Sequence, residues 1–223
     1  MTTLTTTTND AQDQKAASWV WLIPLASLLA TLAWPLLSPI QPTWLSSEQT
    51  AWFLSRSSGV VAYLLLSLST IWGLLLSNKL GQKAISPAIS LCVHNYLSWT
   101  SIGVTIFHAL ILLFDHYYRF TLVSLLIPFT APYSPLWVGV GVIGFYLMGL
   151  TSVTFYVRKW IGQKNWRRLH YLTFFAYLAA TLHGLQAGSD AAQIALMYGT
   201  SAFAVLTLTL LRIISAIQQA KLR

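Results

Sequence analysis

The 223 residues of the chain are 56% hydrophobic and 8% charged, and their formal net charge is +8. A soluble globular domain carries about 25% charged residues, so this composition excludes an ordinary soluble fold. The basic residues are scattered over predicted loops without a nucleic-acid-binding motif, which excludes nucleic acid as a partner and indicates contact with anionic membrane lipid. The single cysteine, Cys92, excludes an internal disulfide.

The chain begins with a polar, threonine-rich stretch at 1–16, which predicts a disordered cytoplasmic tail. Six windows that lack any Asp, Glu, Lys or Arg follow, and each is long enough for the roughly 20 apolar residues that a helix needs to cross a bilayer. These windows are 18–37, 57–77, 84–114, 136–157, 169–189 and 191–211. We therefore expect an all-α integral membrane bundle of six transmembrane helices over 17–216, with a short cytoplasmic tail at 217–223.

Two of the predicted spans have readable starts. Ser86 precedes Pro87 and Ser134 precedes Pro135, and a serine cap followed by proline in the first turn is typical of a helix N-terminus. The longest connection, 115–135, contains Pro128, Pro132 and several aromatic residues. We expect it to lie along the membrane surface.

The basic residues are unevenly divided between the two sides that the six spans define. Eleven of the thirteen Lys and Arg residues fall on the side of the termini, and the opposite side holds only Arg56 and Arg119. The positive-inside rule then places both termini in the cytoplasm of a multi-pass cell-membrane protein. Spans one, three and five run outward.

Four histidines occupy spans three and five. His94 and His108 are 14 residues apart, and His170 and His183 are 13 apart, which corresponds to rises of about 21 and 19.5 Å. Because the two spans run in the same direction, each depth offers one imidazole from each span. An ionisable residue inside a span is a functional hypothesis by default, and two matched pairs outweigh simple interhelical hydrogen bonding. Haem iron takes two axial ligands, so the pattern predicts two b-type haems.

The rotation of the two pairs fits less well. Fourteen residues make about 3.9 turns, so His94 and His108 share a face, whereas thirteen make about 3.6 turns and turn His183 away from His170. Either span five is distorted, or the two haems are turned relative to each other.

Haem propionates need cationic or polar partners. Arg56 lies near the outer end of span two, and Arg167 and Arg168 directly precede His170. Arginine suits carboxylate recognition. Arg56 is the stronger candidate, because positive charge is scarce on the outer side, whereas for Arg168 ordinary positive-inside loop charge is an equal interpretation.

These residues together resemble the ferric reductase-like transmembrane domain, the haem core shared by ferric reductases and NADPH oxidases. The resemblance covers roughly 51–212 and rests on four features: His94 with His108, the segment WRRLHYL at 166–172, LHG at 182–184, and SRSSG at 55–59. It implies that His94 pairs with His170, that His108 pairs with His183, and that Arg56 lies near the outer haem.

A second resemblance, through 166–183, is to the haem-binding membrane subunit of the bacterial periplasmic methionine sulfoxide reductase. That subunit has a basic residue where this chain has His94. The full set of four histidines favours the two-haem arrangement.

The larger oxidases continue into flavin- and nicotinamide-binding domains, whereas here few residues follow Leu211 and no glycine-rich phosphate loop is found. We therefore expect a di-haem cytochrome that passes electrons from a cytoplasmic donor protein or a quinol to an extracytoplasmic acceptor. If both irons are six-coordinate, neither has an open position for a substrate. We therefore assign no catalytic residue and leave open whether the protein is an enzyme. The alternatives are a dedicated electron-transfer subunit of a separate reductase, and a membrane protein without haem, such as a transporter or scaffold.

Overall fold

The computed structural model of the chain describes residues 50–78 and 86–221. The predictions for the tail at 1–16, for the first span at 18–37 and for the last two residues lie outside the described residues. The described part of the chain is helical and contains no strand. Its helices are α1 (Thr50–Ser77), α2 (Pro87–Leu110), α3 (Leu122–Leu126), α4 (Pro135–Ile161), α5 (Gln163–His170), α6 (Leu172–Ala187) and α7 (Ala195–Lys221).

Four of these helices are long and apolar enough to cross a membrane by length and composition. They are α1, α2 with its 3₁₀ continuation to Phe114, α4 and α7, and their mean hydropathy is 1.8 to 2.0. Such helices indicate a membrane protein, because a span needs about 20 apolar residues. The last of them continues through Lys221, so most of the predicted tail at 217–223 extends this helix.

The two Ser-Pro starts are confirmed in position, but they differ in mechanism. The Ser86 side chain accepts a hydrogen bond from the backbone N–H of Ile89 at 3.4 Å, as a helix cap does. Ser134 instead adopts a left-handed backbone, with φ of 43°, and its side chain makes no cap hydrogen bond. At the second site Pro135 alone sets the helical φ of the first turn.

The fifth predicted span is broken. Polar, exposed α5 ends at His170, Tyr171 forms a turn, and the apolar α6 is only 16 residues long. At the break the Tyr171 N–H bonds to the Arg168 carbonyl at 3.3 Å, and the Phe174 N–H bonds to the Tyr171 carbonyl at 3.2 Å. Such three-residue bonds wind the chain by about 120° per residue instead of 100°. The tighter winding turns His183 toward the face that carries His170. The segment predicted as span five is therefore distorted, which is the first of the two alternatives.

Small residues line the contacts between the helices. Extensive contacts join α1 to α2 and α4 to α6. The Ser101 side chain is completely buried, and its hydroxyl donates to the Ala62 carbonyl at 3.1 Å. Small side chains allow membrane helices to approach closely, which brings the histidine-bearing helices within reach of their neighbours' backbones.

The 115–135 connection does not stay at the helix ends. Its short helix α3 is closed by a capping box between Thr121 and Ser124, and the Tyr146 hydroxyl donates to the Leu126 carbonyl. Tyr146 lies eleven residues into α4, about 16 Å along the helix. The segment around Leu126 therefore lies beside α4, and residues 120–135 carry no charge.

Candidate functional site

The structure brings the four histidines together as two pairs. His94 on α2 and His170 on α5 have ring centroids 6.3 Å apart with planes at 78°. His108 on α2 and His183 on α6 have centroids 6.0 Å apart with planes at 77°. These are the pairs implied by the ferric reductase-like resemblance. We name them the His94 site and the His108 site.

The spacing within each pair is that of two imidazoles bound to one metal ion. A metal–imidazole bond is about 2.0–2.1 Å long, and the centre of a five-membered ring lies roughly 1.1 Å beyond its nitrogen. Two such ligands on opposite sides of a metal therefore have centroids about 6.3 Å apart. The observed values of 6.0 and 6.3 Å agree with this distance.

Each pair lines its own cavity. The cavity at the His108 site has a volume of about 390 Å³, and that at the His94 site has a volume of about 400 Å³. Both lie in the range of cofactor and ligand pockets. Leu66 and Met148 line both cavities. The molecule thus offers two similar apolar chambers along the α2 helix, separated by these two side chains.

A backbone carbonyl orients the ring of His108. Its Nδ1 lies 2.7 Å from the carbonyl oxygen of Ser55 on α1. A carbonyl can only accept, so Nδ1 carries the proton and Nε2 is left as a free ligand nitrogen. One turn along α1, Gly59 leaves room for the ring, because a Cβ there would lie 3.0 Å from both Cε1 and Nδ1.

The same arrangement recurs at two further histidines. The Nδ1 of His94 lies 3.0 Å from the Ser69 carbonyl, and a Cβ at Gly73 would lie 3.0 Å from its ring. His183 follows the same rule on α4, where its Nδ1 lies 2.9 Å from the Trp137 carbonyl and Gly141 stands four residues further along. The carbonyl and the glycine are four residues apart in all three cases. Bonding of the outer ring nitrogen fixes the tautomer and orientation of a metal-binding imidazole.

His170 departs from this arrangement. Its Nδ1 is buried and has no hydrogen-bond partner among the described residues. Its ring instead stacks on that of Trp166, one turn earlier in α5, with centroids 5.3 Å apart and planes at 26°. The indole Nε1 of Trp166 is buried and unpartnered as well. The ring of His170 is therefore positioned by stacking on Trp166, whereas the other three rings are positioned by backbone carbonyls.

Arg56 lines the cavity of the His108 site, as expected from the sequence. Its guanidinium donates to the Ala187 carbonyl at 2.9 Å, lies 3.8 Å from the Asp190 carboxylate, and lies 4.2 Å from the ring centre of Trp52. These contacts hold a cation at the mouth of an apolar chamber. It is positioned to meet an anionic group of a bound molecule.

Arg168 has a different position from the one expected. Its side chain is exposed, and it does not belong to the described residues that line the His94 cavity. The described residues that line this cavity include no Lys or Arg. His116, the fifth histidine, is exposed in the loop after α2 and lines neither cavity.

Sequence reasoning missed the three glycines of the histidine cradles. A signal existed for two of them, because Gly59 and Gly73 are 14 residues apart, the same spacing as His94 and His108 on the facing helix. Gly141 had no such signal, since α4 carries several glycines.

The histidines that line the two cavities form pairs. Within the described part of the chain, no group of three or more His, Cys, Asp or Glu side chains forms a site for a metal ion. Comparison of the chain with protein-family models, with curated proteins and with solved structures finds no match. The functional assignment therefore depends on the two histidine sites.

Proposed function

We propose that this chain is a di-haem b-type cytochrome of the cell membrane. It moves electrons from a cytoplasmic donor protein or a quinol to an extracytoplasmic acceptor. One observation carries the proposal: each of two cavities is lined by a pair of imidazoles whose spacing would allow both to bind one haem iron.

The residues present fit haem. Three of the imidazoles have Nδ1 bonded to a carbonyl, so that Nε2 is free to bind iron. The glycines beside these rings leave space that a Cβ would fill. His94 and His170 would hold the inner haem, and His108 and His183 the outer one. When bound, haem supplies one-electron chemistry in an apolar setting.

The chain's own residues orient the rings and separate the two chambers. The interhelical carbonyl bonds limit rotation of the imidazoles and would fix their orientation toward a bound haem. Leu66 and Met148 lie between the chambers. Arg56 offers a charge-assisted contact to a propionate of the outer haem.

The proposed topology has six spans with both termini in the cytoplasm. Its support is the excess of basic residues on that side. The segment from α5 to α6 is the fifth span, in which the break at Tyr171 follows directly after the ligand His170. On this basis, we propose membership of the ferric reductase-like family. The support is that the histidine pairs implied by the resemblance coincide with those in contact.

Electron transfer across a sealed membrane tests this function. Purified full-length protein is reconstituted into vesicles that contain ferricyanide, dithionite is added outside, and loss of the ferricyanide absorbance is followed. We expect rapid loss with the wild type, slow loss with His108→Ala, and wild-type behaviour with His116→Ala, which alters an exposed histidine outside both cavities. A wild-type rate equal to that of protein-free vesicles would contradict the proposal.

A further inference from the structure

Among the residues that the structure describes, the His94 site contains two buried ring nitrogens without a hydrogen-bond partner. These are the Nε1 of Trp166 and the Nδ1 of His170, whose rings stack on each other. Buried donors in native proteins are nearly always satisfied, so a buried donor without a partner points to an absent acceptor. Both side chains line the cavity of the His94 site.

Other indole groups nearby have their partners. Trp99 also lines this cavity, and its Nε1 donates to the Tyr156 hydroxyl at 3.0 Å. Trp72 on α1 donates to the Ser90 carbonyl at 2.9 Å. The missing acceptor is therefore a particular feature of Trp166 and not a general property of indoles in this bundle.

The two orphan donors are not equivalent toward a bound molecule. The two nitrogens of an imidazole point in different directions, so if the Nε2 of His170 binds a metal, its Nδ1 points away from that metal. The indole of Trp166 has one N–H and no other polar atom. Of the two nitrogens, only the Nε1 of Trp166 is always a donor, and its side chain lines the cavity.

The two sites differ in the cationic side chains that line them, and this difference also favours Trp166 as the donor. The His108 site has Arg56 to meet a carboxylate, whereas the described residues that line the His94 site supply no cation. Arg168, a candidate for this role in the sequence, is exposed and outside that lining. An anionic ligand in the His94 site therefore needs a neutral donor.

We propose that the indole N–H of Trp166 binds a carboxylate of the molecule held in the His94 site. This inference rests on the proposed function, in which that carboxylate is a propionate of the inner haem. Trp166 then serves two purposes: its ring face supports the ligand His170, and its edge anchors the haem. It takes the role predicted for Arg168.

The test compares Trp166→Phe with Trp72→Phe in the full-length protein. Phenylalanine keeps an aromatic ring for stacking but removes the N–H together with one ring of the indole, and the dimethyl ester of haem b controls for that lost ring area. Both variants are made in a His108→Ala background, so that haem loss reports on the His94 site alone. Each is loaded with haem b or with its dimethyl ester, and transfer of the haem to apomyoglobin is timed.

We expect Trp166→Phe to lose haem b roughly 10- to 100-fold faster than Trp72→Phe, as removal of a hydrogen bond to a charged group does. The dimethyl ester should leave both variants at equal rates, because it has no carboxylate. Equal retention of haem b by the two variants would overturn the inference. The inference would also be overturned if Trp166→Phe accelerated the loss of haem b and of its dimethyl ester equally, because the indole would then act through stacking only.

If Trp166→Phe does not fold, the His108→Ala protein with Trp166 intact still tests the inference through its retention of haem b and of the dimethyl ester. This protein should hold haem b more tightly than the dimethyl ester, and equal retention of the two would overturn the inference. A purified wild-type chain without any haem would instead refute the proposed function, so the two failures are distinguishable.

Discussion

Gly141 leaves the space that the His183 ring occupies, and Gly141→Ala is expected to remove haem from the His108 site selectively. A Cβ at position 141 would lie 2.7 Å from Nδ1 and 2.8 Å from Cγ of His183, whereas ordinary contacts begin at 3.4 Å. The ring must therefore withdraw from α4 by about 0.7 Å, the difference between 3.4 and 2.7 Å.

This displacement also breaks the bond that orients the ring. The Trp137 carbonyl lies on the same helix, 2.9 Å from Nδ1, so a shift of about 0.7 Å lengthens the bond to about 3.6 Å, beyond hydrogen-bonding range. Overpacking costs about 1–3 kcal/mol and loss of the bond about 0.5–1.5 kcal/mol. Together they amount to about 1.5–4.5 kcal/mol, or roughly 10- to 2000-fold weaker retention of the haem.

Gly149→Ala is the matched control. It lies on the same helix, and a Cβ there would meet nothing within 4 Å. Both substitutions favour the helix itself by up to about 1 kcal/mol, so a defect confined to Gly141→Ala reports on the His183 ring. Haem content and redox titration of the two purified variants provide the measurement. Equal haem content and equal potentials in the two variants would refute the role assigned to the glycine cradle.

Three further predictions concern the sites and the topology. Redox titration should sort the histidine variants into two classes, with His94→Ala and His170→Ala losing one haem and His108→Ala and His183→Ala the other; any other grouping would contradict the pairing. Arg56→Gln should shift the potential of the haem at the His108 site and leave the other nearly unchanged, because the guanidinium lines that cavity alone; the reverse pattern would assign this arginine to topology or lipid contact. A reporter active only outside the cytoplasm should stay silent when fused to the C-terminal end, and strong activity would mean that the number of spans is wrong.

Local features of the fold could be predicted from the sequence because they depend on neighbouring residues. The uncharged windows predicted the four long apolar helices, and the Ser-Pro pairs predicted the starts of α2 and α4. The spacing of the histidines along each helix followed from helical rise. For two helices that run in the same direction, this spacing predicted His94 opposite His170. The fold was therefore predictable where it depended on composition and on spacing along one helix.

Features that depend on how one helix is turned toward another could not be predicted. The segment around Tyr171 contains no proline or glycine, so nothing in the sequence indicates the break that separates α5 from α6. The carbonyls that orient the rings carry no sequence signal, since every residue has one. Arg168 precedes His170 by two residues, but on a helix such neighbours point to different sides, and its side chain is exposed.

The number of haems per chain tests the central claim most directly. The full-length protein is purified, its haem-to-protein ratio is determined, and the reduced-minus-oxidised spectrum is recorded. Two imidazole pairs in two cavities predict two b-type haems per chain. A fully loaded protein with one haem would contradict the assignment of the second site, and a protein without a haem spectrum would contradict the whole account.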